Sequence, residues 1–352
     1  MKGLILSGGT GTRLRPLTFT QAKQLLPIAN QPILFLSINT MRDAGIHEIG
    51  IILGNTAAEV RAAVGNGEKF GVAITYIEQS EPLGLAHAVK TAAPFLGDQS
   101  FLMMLGDNVI HGGITHAVEQ FIRQSSDALV LAGPVANPEQ FGVIKVSDER
   151  VVQLVEKPQT FVSHLALCGV YLFQPIIHEA IRAITPSLRG ELEITDAIQW
   201  LVDNGYSVTH CLTTSWWKDT GRPSDLLDAN RLLLQDITHA IEGSIDAQSE
   251  IIGPVRIAQG AVIKNSTLRG PIAIGKNAHI EDSYIGPYTS IGDEVQIRKT
   301  EVEYSVILEH SVIDQAPRLD QCILGRSVRI GRTSRKPRTM RMVLGDSSIY
   351  EW

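Results

Sequence analysis

Two hydrophobic rhythms divide the chain. Up to about residue 235, compact apolar runs alternate with stretches whose apolar positions recur every three or four residues, the pattern of an α/β unit. Gly3 to Ser7, Glu48 to Leu53 and Phe101 to Leu105 predict strands, and Val72 to Ile77 predicts an extended segment. Pro32 to Ala44, Thr56 to Val64 and Gly84 to Ala93 predict helices. The run from Phe101 stops abruptly at Gly106-Asp107-Asn108. Ligands of open α/β sheets sit at the carboxyl ends of the strands, so the turns after Leu6 and Leu105 are where chemistry is expected.

After about residue 244 the rhythm changes. Isoleucines fall six apart at 245, 251, 257 and 263. Ile257, Ile274 and Ile291 then recur every 17 residues, as do Ile263, Ile280 and Ile297. Gly253-Pro254, Gly270-Pro271 and Gly286-Pro287 mark corners in step with them. A six-residue period nested in a coil of about 18 residues predicts a hexapeptide parallel β-helix, with one aliphatic side chain per face pointing inward. The pattern continues less cleanly through Ile307, Ile313, Ile323 and Ile330. The expected organisation is a first domain over 1–238, a β-helix over 244–334 and a tail over 335–352, whose Lys336-Pro337-Arg338 cluster reads as a solvated segment.

An apolar content of 44% with 19% charged residues is an ordinary globular balance, and a formal net charge of −6 argues against nonspecific nucleic-acid binding. Cys168, Cys211 and Cys322 are too few and too scattered for a zinc site or a disulfide framework, so reduced thiols are expected. No run approaches the roughly 20 apolar residues of a membrane span, and Met1 to Leu6 is too short for a signal peptide, so the expected location is cytoplasmic.

The sharpest motif is Leu6-Ser7-Gly8-Gly9-Thr10-Gly11-Thr12-Arg13-Leu14-Arg15-Pro16. Glycines after a buried strand let backbone N–H groups close on an anion. The Gly-Lys-Ser/Thr ending of a Walker loop is missing, and Leu14 stands where a dinucleotide fingerprint needs its third glycine. Arg13 and Ala22-Lys23-Gln24-Leu25-Leu26-Pro27 add two cations nearby. This combination resembles the sugar-phosphate nucleotidyltransferases, and in particular the glucose-1-phosphate thymidylyltransferases. Further segments match that family in order: Gln79-Ser80-Glu81-Pro82-Leu83-Gly84-Leu85-Ala86-His87-Ala88, Leu105-Gly106-Asp107-Asn108, Phe141-Gly142-Val143, Val155-Glu156-Lys157-Pro158, Arg189 to Asp196, and Trp217-Lys218-Asp219-Thr220-Gly221. The β-helix extension is similar to that of the family's long form. One departure is Phe141, where the short form usually carries a tyrosine, so a hydroxyl is missing from the expected glucose pocket.

The resemblance implies a Rossmann-like nucleotidyltransferase domain with a mixed central sheet, followed by a left-handed parallel β-helix. It also implies a Mg²⁺-dependent attack of glucose-1-phosphate on the α-phosphorus of dTTP, giving dTDP-glucose and pyrophosphate. Asp107 and Asp219 are then the metal ligands, since Mg²⁺ is typically held by one or two carboxylates with phosphates and waters completing the shell. Gly8, Gly9 and Gly11 cradle the nucleotide, Arg13 and Lys23 contact its triphosphate, Gln79 and the backbone at Gly84 read the base, and Gln24 is a further contact. Lys157 and Arg189 hold the sugar phosphate, while Glu156, Gly142, Asn108 and Tyr171 face the sugar. Thymine and uracil share an imide edge, so UTP remains the alternative nucleotide.

Two rival readings differ in kind. One is a uridylyltransferase whose β-helix carries a second, acyltransferase activity, for which His279 and His310 are the candidate bases. The other is a non-catalytic assembly or regulatory subunit, which fits poorly with every charged motif position being filled. In the main reading the β-helix mediates homo-oligomer formation, and the product feeds deoxysugar synthesis. The feedback site of the short form uses a C-terminal region that is replaced here.

Overall fold

The computed structural model describes residues 1–332, so the expected tail and the last two positions of the expected β-helix lie outside the described residues. The chain forms two compact units, one of Met1–Thr10, Gln21–Leu25 and Ile33–Asp219, the other of Gly11–Thr20, Leu26–Pro32 and Thr220 onward.

The first unit is built on a nine-stranded mixed sheet. Its order is Ala73–Glu78, Glu48–Leu53, Lys2–Ser7, Phe101–Leu105, Leu165–Phe173, Ala128–Pro134, Val208–Leu212, Arg150–Glu156 and Gly142–Ser147. The first four are mutually parallel, and Leu165–Phe173 runs antiparallel between its two neighbours. These strands read as near-continuous apolar runs because both faces are covered. Leu4, Met103, Val130 and Tyr171 belong to one core, and Ile5, Ile51, Leu102, Met104 and Leu172 to the other. Helices Leu85–Thr91 and Ile194–Asp203 contribute to the first, Ile33–Asp43 and Thr115–Gln124 to the second. The expected strands and helices of residues 3–96 are present within one or two residues, except that the helix expected over Gly84 to Ala93 is two pieces, Leu85–Thr91 and Ala93–Leu96.

In the second unit, three stacked parallel sheets form the left-handed β-helix. Ile257 pairs in register with Ile274 and then Ile291, Ile263 with Ile280 and then Ile297, and on the third face Leu268 with Ile285. All of these are buried in one core. The coil is 17 residues rather than about 18, and it shortens to 16 where Ile291 pairs with Ile307 and Ile297 with Ile313. The following coil is 17 again, so the next inward position after Ile307 is Leu324, not Ile323. Corners lie in the left-handed region at Asn265, Asp282 and Lys299, which short polar side chains tolerate best. There the hydroxyls of Ser249, Ser266 and Ser283 each accept from the backbone N–H one coil on, at 3.1–3.3 Å. Buried Asn230 on the helix Pro223–Gln235 accepts from the Ala29 N–H and donates to the Tyr288 carbonyl within the same unit.

Candidate active site

Parallel pairing sets Leu6 opposite both Ile52 and Leu105, so three strands end nearly level. Beyond those ends the backbone closes tightly. A Cβ on Gly54 would lie 2.7 Å from the Gly8 carbonyl, and the Gly106 N–H donates to the Leu6 carbonyl at 2.9 Å. Gly8 and Gly9 keep one side open, while Gln24 is buried beneath them. At the same edge the Gln79 N–H donates to the Leu53 carbonyl at 2.9 Å, which sets its side chain beside Gly8.

Asp107 follows directly on Gly106. Asp219 comes far later in the chain but reaches the same place, because Trp217–Asp219 pairs antiparallel with Asn108–Ile110 and sets Asp219 opposite Asn108. The buried Lys23 ammonium contacts the Asp107 carboxylate and lies 3.8 Å from Asp219. Two carboxylates thus converge on one cationic centre. That donor set suits a hard divalent ion whose remaining positions are filled by phosphate and water. Six buried polar atoms in this unit have no hydrogen-bond partner among the described residues; beside His178 Nε2 and His210 Nδ1 there are four others, Ser7 Oγ, Gln24 Oε1, Asn108 Oδ1 and Thr195 Oγ1. Such orphans are uncommon in folded proteins, and these four fall on or beside the motif segments.

A second cluster forms around Glu156. It stands opposite Gly142 in an antiparallel pair, and a Cβ on Gly142 would come within 2.9 Å of its carboxylate. Arg189 reaches Glu156 at 3.8 Å and binds Glu191 and the buried Glu193 more closely, at 3.1 and 2.9 Å. Burial, and then the neighbouring Glu193, push the Glu156 carboxyl above the usual glutamate range, with Lys157 and Arg189 opposing. Lys157 itself has a left-handed backbone at φ 43° and an exposed side chain 3.9 Å from Glu156. Strained non-glycine positions of this kind cluster at functional sites.

A sequence profile described as Nucleotidyl transferase matches residues 2–236, and one described as GMPPB C-terminal domain matches residues 268–348. The chain belongs to the nucleotidyl transferase family. A Streptomyces antibioticus protein named glucose-1-phosphate thymidylyltransferase is 49% identical, covering 100% of this chain and 99% of the relative. One of the same name from Streptomyces griseus is 46% identical over 99% and 98%. The low-salt glycan biosynthesis nucleotidyltransferase Agl11 of Haloferax volcanii is also 46% identical, over 99% of both. A Bacillus anthracis crystal structure, described as a putative glucose-1-phosphate thymidylyltransferase in complex with a sucrose, superposes with a TM-score of 0.63 at 36% identity. It covers 68% of this chain and 98% of that one. The chain is therefore a nucleotidyltransferase enzyme, and members of its family generally depend on a divalent metal.

For this nucleotidyl transferase, the structure brings Gly8, Gly9, Lys23, Gln24, Gln79, Asp107, Asn108 and Asp219 to one edge of the first unit's sheet. Gly142, Glu156, Lys157 and Arg189 form the second cluster in the same unit. Gly84 opens the helix Leu85–Thr91 at φ 105°, packed so closely on Leu192 that a Cβ would collide with its backbone. Asn108 donates to the Cys168 carbonyl at 2.9 Å, and Tyr171 packs in the core against Phe173, so both are largely buried. Gly11 and the exposed Arg13 belong to the second unit. Phe141 packs edge-on against Trp217 at 5.5 Å. The sequence reading missed Glu193, which grips Arg189 through both carboxylate oxygens, and His87, which bonds Gln79. The i, i+4 spacing of Arg189 and Glu193 was the available signal for the first.

In the β-helix, His279 lies 3.5 Å from Glu281 and His310 3.2 Å from Glu294. An open groove of about 610 Å³ on the third face is lined by Asp282, Tyr284, Lys299, Glu301 and Arg318, among others, and by neither histidine. Among the described residues, no helix is long and apolar enough to cross a membrane.

Proposed function

We propose that the enzyme transfers a thymidylyl group from dTTP to glucose-1-phosphate, giving dTDP-glucose and pyrophosphate, with Mg²⁺ as the divalent ion. The likeness to the two Streptomyces relatives over nearly the whole of both chains carries this reading. A phosphate oxygen of glucose-1-phosphate attacks the α-phosphorus, the bond to the β-phosphate oxygen breaks, and pyrophosphate leaves. The nucleophile is already an anion, so no general base is required. The task is to hold two polyanions together and to stabilise charge on the leaving group.

Asp107 and Asp219 hold the Mg²⁺, which when bound supplies positive charge to the triphosphate. Lys23 adds a second cation at the same point, within reach of both carboxylates. Gly8 and Gly9 offer backbone N–H groups to the phosphates, with Gln24 buried beside Gly9, and Gly11 is assigned to the nucleotide on its motif alone. Arg13 is assigned to the leaving pyrophosphate on its motif alone. Gln79 pairs with the imide edge of thymine, with the backbone at Gly84 beside it. Arg189 and Lys157 receive the sugar phosphate, which competes with Glu191 and Glu193 for the guanidinium. Glu156 accepts from glucose hydroxyls, and the Gly142 backbone, Asn108 and Tyr171 line that side. The β-helix serves homo-oligomer assembly, and the enzyme acts in the cytoplasm on soluble substrates. Pyrophosphate release across a matrix of nucleoside triphosphates and sugar-1-phosphates tests the reading. Equal or faster turnover with UTP, or with another sugar phosphate, would refute the substrate assignment.

A further inference from the structure

Lys23 has to be held where its ammonium meets both carboxylates, and the chain on either side of it does not do this. The segment Gln21–Leu25 belongs to the first unit, whereas the residues before and after it are grouped with the second. Its place in the first unit is therefore set by contacts made from the side. The segment is a tight turn, in which the Leu25 N–H donates to the Ala22 carbonyl at 2.9 Å and Gln21 Nε2 to the Leu25 carbonyl at 3.0 Å. Ala22 and Leu25 are buried in the core that also holds Ile5 and Ile51. Apolar packing is not directional, so it leaves the exact seat of the turn loose. Ala22 is also fully buried, and a buried backbone N–H needs a partner. Glu59 supplies it, its Oε2 accepting from the Ala22 N–H at 2.7 Å. Glu59 stands in the first turn of the helix Ala57–Val64. That helix is itself anchored, since the Ala57 N–H donates to the Gly54 carbonyl at 3.1 Å and Val60 and Val64 are buried in the same core. An exposed glutamate is ordinarily a solvated charge of little consequence. This one satisfies a buried donor immediately before Lys23.

We infer that Glu59 is a positioning residue for Lys23: by accepting from the Ala22 N–H it fixes the turn that delivers the ammonium to Asp107 and Asp219. Without that acceptor the Ala22 N–H is orphaned in the interior, and the turn relieves the cost by shifting toward water. Lys23 is the next residue and moves with it. A displacement of about 1 Å is enough to spoil a contact that depends on placement. This inference rests on Lys23 contacting the triphosphate.

The test measures the Kd for dTTP by titration calorimetry of the full chain in saturating Mg²⁺, without sugar phosphate, in Glu59→Ala, Glu59→Gln, Lys23→Met and the double variant Glu59→Ala/Lys23→Met. Glu59→Ala and Lys23→Met should each weaken binding on the order of tenfold. Glutamine keeps an acceptor oxygen of the same reach, so Glu59→Gln should stay close to the parent. The double variant should bind no more than about twofold more weakly than Lys23→Met, because Glu59 then has no ammonium left to place. Equal weakening by alanine and glutamine would mean that Glu59 acts through its charge at a helix N-terminus, and overturns the inference. So does a loss from Glu59→Ala that persists in full in the Lys23→Met background, since Glu59 would then act elsewhere. A parent-like Kd in Lys23→Met removes the triphosphate assignment of Lys23 and the positioning role with it. A weakened Kd in Lys23→Met beside a parent-like Kd in Glu59→Ala removes the positioning role alone.

Discussion

Replacing Lys23 with methionine keeps the apolar stem and removes the ammonium from between Asp107 and Asp219. Lys23 is 6% exposed, whereas the two carboxylates are 25% and 33% exposed. At an effective dielectric of about 20, unit charges about 4 Å apart interact by about 4 kcal/mol. Solvent at both carboxylates discounts this toward the value of exposed pairs, about 1 kcal/mol or less each. Two lost attractions and the remaining carboxylate repulsion together give about 1–3 kcal/mol. For a unit of this size that lowers Tm by roughly 2–12 °C. The assay is calorimetric melting in EDTA and again in excess Mg²⁺. In EDTA the variant should melt lower than the parent. Added Mg²⁺ should raise the variant's Tm more than the parent's, because in the parent the ion competes with an ammonium already seated there. Equal melting temperatures in EDTA, or identical Mg²⁺ shifts in the two proteins, would refute the idea that Lys23 neutralises the carboxylates proposed to bind the metal.

Asp107→Asn and Asp219→Asn should each reduce turnover by orders of magnitude with an unchanged circular dichroism spectrum, since in the proposed site each removes a negative ligand from a hard cation; near-normal turnover at saturating Mg²⁺ would sink the assignment. Because Glu156 holds its proton above the usual glutamate range, its protonated form favours the folded state, a contribution complete below the unfolded pKa and lost as pH rises through the raised one. In its proposed role Glu156 accepts from the sugar as a carboxylate, so the KM for glucose-1-phosphate should rise as pH falls toward that raised value. Profiles between about pH 5 and 8 should show this limb in the parent and not in Glu156→Gln. Deleting 244–352 should lower the oligomeric state seen by light scattering, and Ile280→Ala in the β-helix core should cost about 2–5 kcal/mol in unfolding experiments. Acetyl transfer from acetyl-CoA to glucosamine-1-phosphate should be undetectable; transfer abolished by His279→Ala or His310→Ala would restore the bifunctional reading.

The parts of this protein legible in its residues are those governed by local rules. The isoleucine period announces the β-helix because each coil repeats the same inward position, and the repeat needs no knowledge of distant partners. Ile323 follows Ile307 by 16 residues, the length of the shortened coil at Ile291–Ile307, but the next coil returns to 17 and sets Leu324 inward, a change of coil length that residue type does not signal. The strand ends at Ser7 and Leu105 are legible for a similar reason, since an apolar run interrupted by glycine marks its own limit. Contacts across long stretches of chain are set by sheet register and helix placement. Asp219 meets the Lys23 ammonium because Trp217–Asp219 pairs with Asn108–Ile110, and nothing in the spacing of those residues specifies that pairing. The bond from Gln79 to His87 depends in the same way on where Gly84 and Leu192 clamp together. Residue types therefore announce which chemistry is available, while the tertiary fold decides which atoms face each other, because hydrogen bonds and ion pairs act only over a few ångströms.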